Sequence, residues 1–192
     1  VLVSNVGGVG AQWAATYLSL GLGFEAVTAA NIILIVSVIA IGGGVLQGYI
    51  STKFSIKTSM VVYMSLILLS LLLHVLFLPG FTPVTATLCM IPQRIGNAMA
   101  IACCQSMFRK NVTTRYYGTC VGLYNAVGWA VGSGIFVQVF AMFVDASYTV
   151  ASFQKAFFVT LLVTAALAVV GLLSKEETIP VFLENAQKEA EQ

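Results

Sequence analysis

Long apolar runs separated by short polar breaks constrain this chain more than any other feature. A helix needs about 20 mostly apolar residues to cross a bilayer, and six stretches of the chain meet that need. Because backbone groups in lipid must be satisfied within their own segment, such stretches fold as helices. We therefore expect an all-α, multi-pass membrane protein. The predicted spans are residues 1–22, 27–50, 57–78, 83–107, 117–144 and 152–173.

The composition agrees with this class. The chain is 59% hydrophobic and 8% charged, whereas a soluble domain carries about 25% charged residues. We expect residues 1–174 to form one transmembrane bundle and residues 175–192, which are polar and acidic, to form a solvated cytoplasmic tail. The chain starts inside an apolar run without Met, so we expect it to be a fragment of a longer protein.

The positions of the basic residues predict the orientation. With six spans, both ends of the chain lie on one side of the membrane. Lys155 is the one basic residue expected on the other side, and Arg94 lies within a span. Because Lys and Arg concentrate in cytoplasmic loops, we predict cytoplasmic ends in a plasma membrane, or in the inner membrane of a bacterium. The basic residues on the side of the ends are Lys53, Lys57, Arg109, Lys110, Arg115, Lys175 and Lys188.

Several classes of function find no support. A net charge of +2 without a basic run does not indicate a nucleic-acid partner. The four cysteines lie in apolar segments and lack the spacing of metal ligands. We expect His74, the single histidine, at the outer end of the third span as an interfacial residue. With no paired carboxylates or phosphate-binding loops, we predict no enzyme activity, metal or cofactor.

Polar residues follow one face of three predicted helices. At 100° per residue, Asn5, Gln12 and Ser19 share a face of the first helix, and Thr87, Arg94 and Gln105 share a face of the fourth. On the fifth helix, Asn125 lies on one face with Gly118 and Gly132. Two interpretations remain open: hydrogen bonding between packed helices, and a shared polar cavity. We favour a substrate cavity lined by Asn5, Gln12, Arg94, Asn97, Asn125 and Trp129. We expect the glycines of the fifth helix to pack helices together: Gly118, Gly122, Gly128 and Gly132.

Arg94 is the most constrained of these residues. It lies about 16 Å from either surface at 1.5 Å per residue, and a central arginine costs about 2.5–3.5 kcal/mol on insertion scales. Pro92 frees the carbonyl group of Leu88, so a structural role would be a hydrogen bond to that carbonyl. The carboxylates of Glu25 and Asp145 lie near the outer edge. We therefore expect the counter-charge to come from a missing part of the protein or from an anionic substrate.

Three stretches carry a family resemblance: "YLSLGLGFEAVTAAN", "GYISTKFSIKT" and "RYYGTCVGLYNAVGWAVGSG". In their order they resemble the C-terminal six-helix half of a major facilitator superfamily transporter, closest to the fourteen-span drug:proton antiporters. Gly48, Lys53 and Lys57 match the cytoplasmic loop motif G-x-x-x-D-R-x-G-R-R/K, whereas Thr52 replaces its aspartate and Ser55 its second glycine. Gly118, Gly122, Leu123 and Asn125 match the run R-G-x-x-x-G-L-x-N.

The resemblance implies a function as well as a fold. Two six-helix bundles would move around a central cavity by alternating access, and the proton-carrying carboxylates of such antiporters usually lie in the N-terminal half. We thus expect the C-terminal half of a proton-coupled exporter of small amphipathic compounds. Its partners would be the missing N-terminal half, the lipid bilayer, the substrate and protons. The alternatives are an organic-anion carrier in which Arg94 binds the substrate, and a six-span scaffold that transports nothing.

Overall fold

The computed structural model describes residues 2–112 and 114–173, except for the side chains of residues 110, 111 and 114. All regular structure within these ranges is helical, which confirms the predicted all-α class. The predicted tail, residues 175–192, lies outside the described residues.

The N-terminal segment, residues 2–21, is a broken helix. It consists of α1 (Leu2–Gly7), α2 (Val9–Gln12), α3 (Ala14–Thr16) and a π-helical turn (Tyr17–Gly21). A second π-helical stretch, Gly128–Ile135, joins α7 to α8, and we call residues 114–143 the bulged segment. The remaining α-helices are α4 (Ala26–Lys53), α5 (Ile56–Phe77), α6 (Pro83–Asn111), α7 (Thr114–Val127), α8 (Phe136–Phe143) and α9 (Val150–Leu173), and a 3₁₀ turn (Leu78–Gly80) follows α5.

Local side-chain chemistry sets where two of the helices begin. The hydroxyl of Ser55 accepts a hydrogen bond from the Thr58 N–H at 3.1 Å at the start of α5. Before α6, Thr82 and Thr85 each bond the other's backbone N–H, with Pro83 at the first helical position. Such caps satisfy N–H groups that have no partner within the helix. Both starts therefore follow from short stretches of sequence.

Four helical stretches of the described chain are long and apolar enough to cross a membrane. They are Ala26–Lys53, Ile56–Gly80, Arg115–Phe143 and Val150–Leu173, and each overlaps a predicted span. The N-terminal segment is interrupted, and α6 carries polar residues at its centre. That these two also cross the membrane remains a prediction.

The helices pack in a repeating pattern. The helix α6 lies against α4, α5 and the N-terminal segment. The N-terminal segment lies in turn against the bulged segment and α9, and α5 contacts α9. These contacts are unchanged when three pairs of segments are exchanged. The pairs are the N-terminal segment with α6, α4 with the bulged segment, and α5 with α9. The N-terminal segment and α6 are thus equivalent positions in an internal repeat, an arrangement found in many transporters.

Glycines allow α6 to approach its neighbours closely. A Cβ atom at Gly43 of α4 would lie 2.6 Å from the carbonyl oxygen of Ile95. A Cβ at Gly96 would lie 2.9 Å from the carbonyl oxygen of Tyr63 in α5. Small residues at such contacts let helix backbones pack without intervening side chains. The sequence analysis did not identify these two glycines.

Candidate functional site

The breaks in the N-terminal segment expose backbone oxygen atoms to α6. At the first break, the Ala11 N–H donates to the Gly8 carbonyl at 2.9 Å, one residue later than its α-helical acceptor, Gly7. The side-chain amide of Gln93 donates to the Gly7 carbonyl instead. Irregular backbone at membrane depth is tolerated where other protein groups satisfy it. Gln93, which is 2% exposed, supplies such a group.

Arg94 bonds the N-terminal segment one turn beyond the contact that Gln93 makes. Its Nη2 donates to the carbonyl oxygen of Ala11 at 3.4 Å, so the carbonyl acceptor found in the structure is on another helix. The alternative structural role, a hydrogen bond to the Leu88 carbonyl, is not the one that the structure shows. The helix α6 continues through Pro92 as one element, and the guanidinium can reach across to the broken neighbour.

The charge of Arg94 is only partly satisfied within the described residues. The side chain is half-buried, and its Nε atom is buried without a hydrogen-bond partner there. The two carboxylates of the described chain lie in turns: Glu25 precedes α4, and Asp145 accepts hydrogen bonds from Thr149. A buried guanidinium N–H without an acceptor is costly, so the described residues leave Arg94 incompletely satisfied.

Asn97 extends these contacts toward the start of the chain. The Ser4 hydroxyl donates to the Asn97 Oδ1 at 3.3 Å. A Cβ atom at Gly8 would lie 2.9 Å from the Asn97 Nδ2, so the missing side chain makes room for the amide. We call Ser4, Gln93, Arg94 and Asn97, with the carbonyls of Gly7 and Ala11, the polar seam.

The π-helical stretch of the bulged segment contacts the N-terminal segment beside the polar seam. The side-chain amide of Gln12 donates to the Ser133 hydroxyl at 2.9 Å. A Cβ atom at Gly132 would collide with the side chain of Asn5. π-Helical turns interrupt the regular hydrogen bonding and are frequent at functional sites. Three helical segments, two of them irregular, thus converge on one polar region.

A comparison with known protein families identifies the superfamily of this chain. The model of the Major Facilitator Superfamily matches residues 1–137 of the chain. The chain belongs to the major facilitator superfamily. No match was found among curated proteins or among solved structures. The superfamily is one of membrane transporters, and the polar seam of this superfamily member joins two repeat-related segments.

The seam and its surroundings bring together four of the six predicted cavity residues. Asn5, Gln12, Arg94 and Asn97 all take part in contacts between segments. Asn125 and Trp129 are exposed on the bulged segment, Trp129 to 58%. That the six line a cavity remains a prediction.

The four predicted packing glycines of this superfamily member differ in their surroundings. Gly132 contacts Asn5, and Gly128 is buried. At Gly118 and Gly122, no described atom outside the local helix lies within 4 Å of the position that a Cβ would take. Packing at these two glycines therefore remains a prediction.

The predicted loop motif lies at the junction of α4 and α5. Gly48 and Lys57 are exposed. The Nζ atom of Lys53 donates to the Tyr49 hydroxyl at 2.8 Å and lies 4.6 Å from the centre of that ring. Lys53 thus interacts within its own helix, and the described contacts link none of the three motif residues to the polar seam.

His74 corrects the sequence analysis. It lies in the last turn of α5, at the end of its span as predicted. However, it is 1% exposed and packs beside Phe81 and Phe157, whereas an interfacial side chain was expected. Its Nδ1 lies 2.7 Å from the Ser70 carbonyl oxygen, which can only accept, so Nδ1 carries the proton. Neutral His74 then accepts from the Tyr17 hydroxyl through Nε2, over 3.1 Å. His74 thereby holds the π-helical turn that ends the N-terminal segment.

Sequence reasoning also missed Gln93 and Ser133. Gln93 lies next to Arg94 but about 100° around the helix, so the stripe that selected Arg94 left it out. Its position directly after Pro92 was the available signal. Ser133 lies in a stretch where the spacing departs from 3.6 residues per turn, so a helical projection misplaces it.

Proposed function

We propose that this member of the major facilitator superfamily is the C-terminal half of a secondary active carrier in the drug:proton antiporter subfamily. The complete carrier would export small amphipathic compounds by alternating access, driven by protons. The ends of this half would be cytoplasmic, in a plasma membrane or a bacterial inner membrane. The missing N-terminal half would complete the cavity and supply the carboxylates that carry protons.

One observation carries the proposal: a broken helix whose carbonyls accept hydrogen bonds from polar side chains of its repeat-related partner. Discontinuous helices at the repeat interface are typical of substrate and ion sites in secondary transporters. A membrane scaffold has no use for this irregular backbone, which regular helices would satisfy more easily. The polar seam therefore favours transport over the scaffold alternative.

A second candidate is an organic-anion carrier, and the partly unsatisfied guanidinium of Arg94 favours it. A guanidinium can bind a carboxylate through two parallel hydrogen bonds. Within the described residues its one hydrogen bond is to a neutral carbonyl at 3.4 Å, and its Nε lacks a partner. An anionic substrate that reaches the accessible part of the half-buried guanidinium would satisfy its charge.

Reconstitution of the full-length protein into liposomes tests both candidates. A pH gradient imposed across the membrane should accelerate efflux of a lipophilic cationic dye, and an organic carboxylate of similar size should move slowly. The anion candidate predicts the reverse preference, with Arg94→Ala weakening carboxylate transport selectively. Arg115→Ala, at an exposed arginine near the start of α7, is the matched control. Absence of gradient-driven movement of either compound would contradict both candidates.

Cysteine labelling tests the orientation. A cysteine replacing Lys53, between α4 and α5, should react with an impermeant reagent only from the cytoplasm. One replacing Ser147, in the turn before α9, should react only from outside. Labelling of the second position from the cytoplasm would reverse the proposed topology.

A further inference from the structure

A groove opens where α5 and α8 end and α9 begins, away from the polar seam. It has a volume of about 480 Å³, within the range of roughly 300–1,000 Å³ typical of ligand pockets. Its walls come from three helices, so it depends on the tertiary fold. The lining residues used below are Val75, Phe143, Gln154, Lys155, Phe158 and Val159.

The chemistry of the groove is divided between apolar walls and one cation. Phe143, Phe158 and Val159 supply apolar surface, and Lys155 supplies a positive charge. The amide of Gln154 is already used, because it donates to the Val75 carbonyl and joins α9 to α5. The described residues give the exposed Lys155 ammonium group no hydrogen-bond or ion-pair partner. Lys155 is therefore available to an external anion.

The order of these groups along α9 suits a helix that enters a bilayer at Val150. Lys155 lies about 7.5 Å along α9 from its first residue, Val150, at 1.5 Å per residue. Lysine side chains near a helix end extend toward the headgroup layer. Phe158 and Val159 lie about one turn deeper, where lipid acyl chains begin. A cation above an apolar groove complements an anionic head above an apolar tail.

The acidic residue nearest in sequence at this end, Asp145, is directed elsewhere. Its carboxylate accepts hydrogen bonds from the Thr149 N–H at 2.9 Å, the Thr149 hydroxyl at 2.6 Å and the Ser152 hydroxyl at 3.2 Å. These donors, led by the Thr149 hydroxyl, lower the pKa of Asp145, so it is negative at neutral pH. Its charge is held at the start of α9 and leaves Lys155 unpaired.

We propose that this groove is a binding site for an anionic phospholipid, with the headgroup phosphate on Lys155 and an acyl chain between Phe143 and Phe158. The lipid belongs to the leaflet on the side of the bundle where α9 begins. The site does not depend on the direction of transport or on the transported compound.

Native mass spectrometry of the purified full-length protein tests the proposal. Phosphatidylglycerol and phosphatidylcholine with identical acyl chains are compared, and inorganic phosphate serves as a head without a tail. One lysine near an anionic lipid surface corresponds to about a fivefold preference. We expect the protein to retain about five times as much bound phosphatidylglycerol as phosphatidylcholine. Inorganic phosphate should not remain bound.

Matched variants separate the two halves of the site. Lys155→Gln should remove the preference between the lipids, and Phe158→Ala should lower retention of both. Lys57→Gln, at an exposed lysine near the opposite end of α5, should change neither. Equal retention of the two lipids by the unmodified protein would overturn the proposal. So would an undiminished preference in Lys155→Gln, or phosphate binding as strong as lipid binding.

Discussion

The N-terminal segment and α6 hold equivalent positions in the internal repeat, yet the first is broken and the second is continuous. The N-terminal segment has three short α-helical pieces and a π-helical turn, although it contains no proline. The helix α6 contains Pro92 and remains continuous from Pro83 to Asn111. A proline therefore does not decide which helix breaks.

Neighbouring contacts account for the difference. Close packing through glycines supports α6 against both α4 and α5. The N-terminal segment has glycines at positions 7, 8 and 10, which weaken a helix, and polar side chains of α6 accommodate its irregular backbone. The regular helix thus carries the polar groups that the irregular helix requires. The comparison teaches that Arg94 and Gln93 must be understood together with the backbone of another segment.

The strongest test of this pairing is Arg94→Ala. We expect it to abolish transport per folded molecule, because the guanidinium is lost to its partner in the missing half or to an anionic substrate. Arg94→Lys should recover little, since lysine lacks the planar fork of donors. Transport in liposomes, normalised to folded protein, is the measurement.

The control for Arg94→Ala is Gln93→Ala, which removes the neighbouring support of the same segment without removing charge. It should lower stability by about 1–3 kcal/mol, the cost of an unsatisfied buried group, and preserve transport per folded molecule. Near-normal transport by Arg94→Ala would show that Arg94 has a structural role only.

Gly43→Leu tests whether close packing keeps α6 continuous. Its side chain would meet the Ile95 backbone, and overpacking of this kind costs about 1–3 kcal/mol. Gly42→Leu is the matched control, because no described atom outside the local helix lies within 4 Å of a Cβ at Gly42. The midpoints of thermal unfolding in detergent are compared. Equal midpoints for the two variants would contradict the packing explanation.

A smaller effect is expected where the N-terminal segment ends. Tyr17→Phe removes the donor to His74 Nε2 and should cost about 1 kcal/mol, typical of one hydrogen bond. Tyr116→Phe, at a residue 46% exposed, should change the thermal midpoint little. If both variants unfold at the same temperature as the unmodified protein, the Tyr17–His74 bond does not stabilise the π-helical turn.

The smallest effect lies outside both segments, at Asp145. Its pKa is lowered, first by the Thr149 hydroxyl and then by the Thr149 N–H. A lowered pKa in the folded state stabilises the fold at pH values above the ordinary pKa, near 4. That contribution is lost as the pH falls through the lowered value. Asp145→Asn should unfold slightly earlier than the unmodified protein at pH 7, and the difference should shrink steadily as the pH falls below the ordinary pKa. A difference that grows on acidification would contradict this sign.

The sequence by itself determined the class of the protein. Long apolar runs and scarce charge require transmembrane helices, and the threonine and serine caps of α5 and α6 act over only three residues. The sequence also identified Arg94 as exceptional, because an arginine at the centre of an apolar run is costly in any orientation. The family resemblance rested on the order of loop motifs, and the match over residues 1–137 supports it at the level of the superfamily.

Only the tertiary structure decided which groups meet. A helical projection assumes a constant 100° per residue, and the breaks at Gly8 and Trp13 shift the phase of the N-terminal segment. The stripe of Asn5, Gln12 and Ser19 therefore does not remain one face: Asn5 and Gln12 contact the bulged segment, while the Ser19 hydroxyl bonds the Ala15 carbonyl of its own segment. The acceptor of Arg94 lies 83 residues away in sequence, where neither local propensity nor periodicity can locate it. Burial of His74 likewise depends on aromatic residues from α9 and the turn before α6, which only the folded chain brings together.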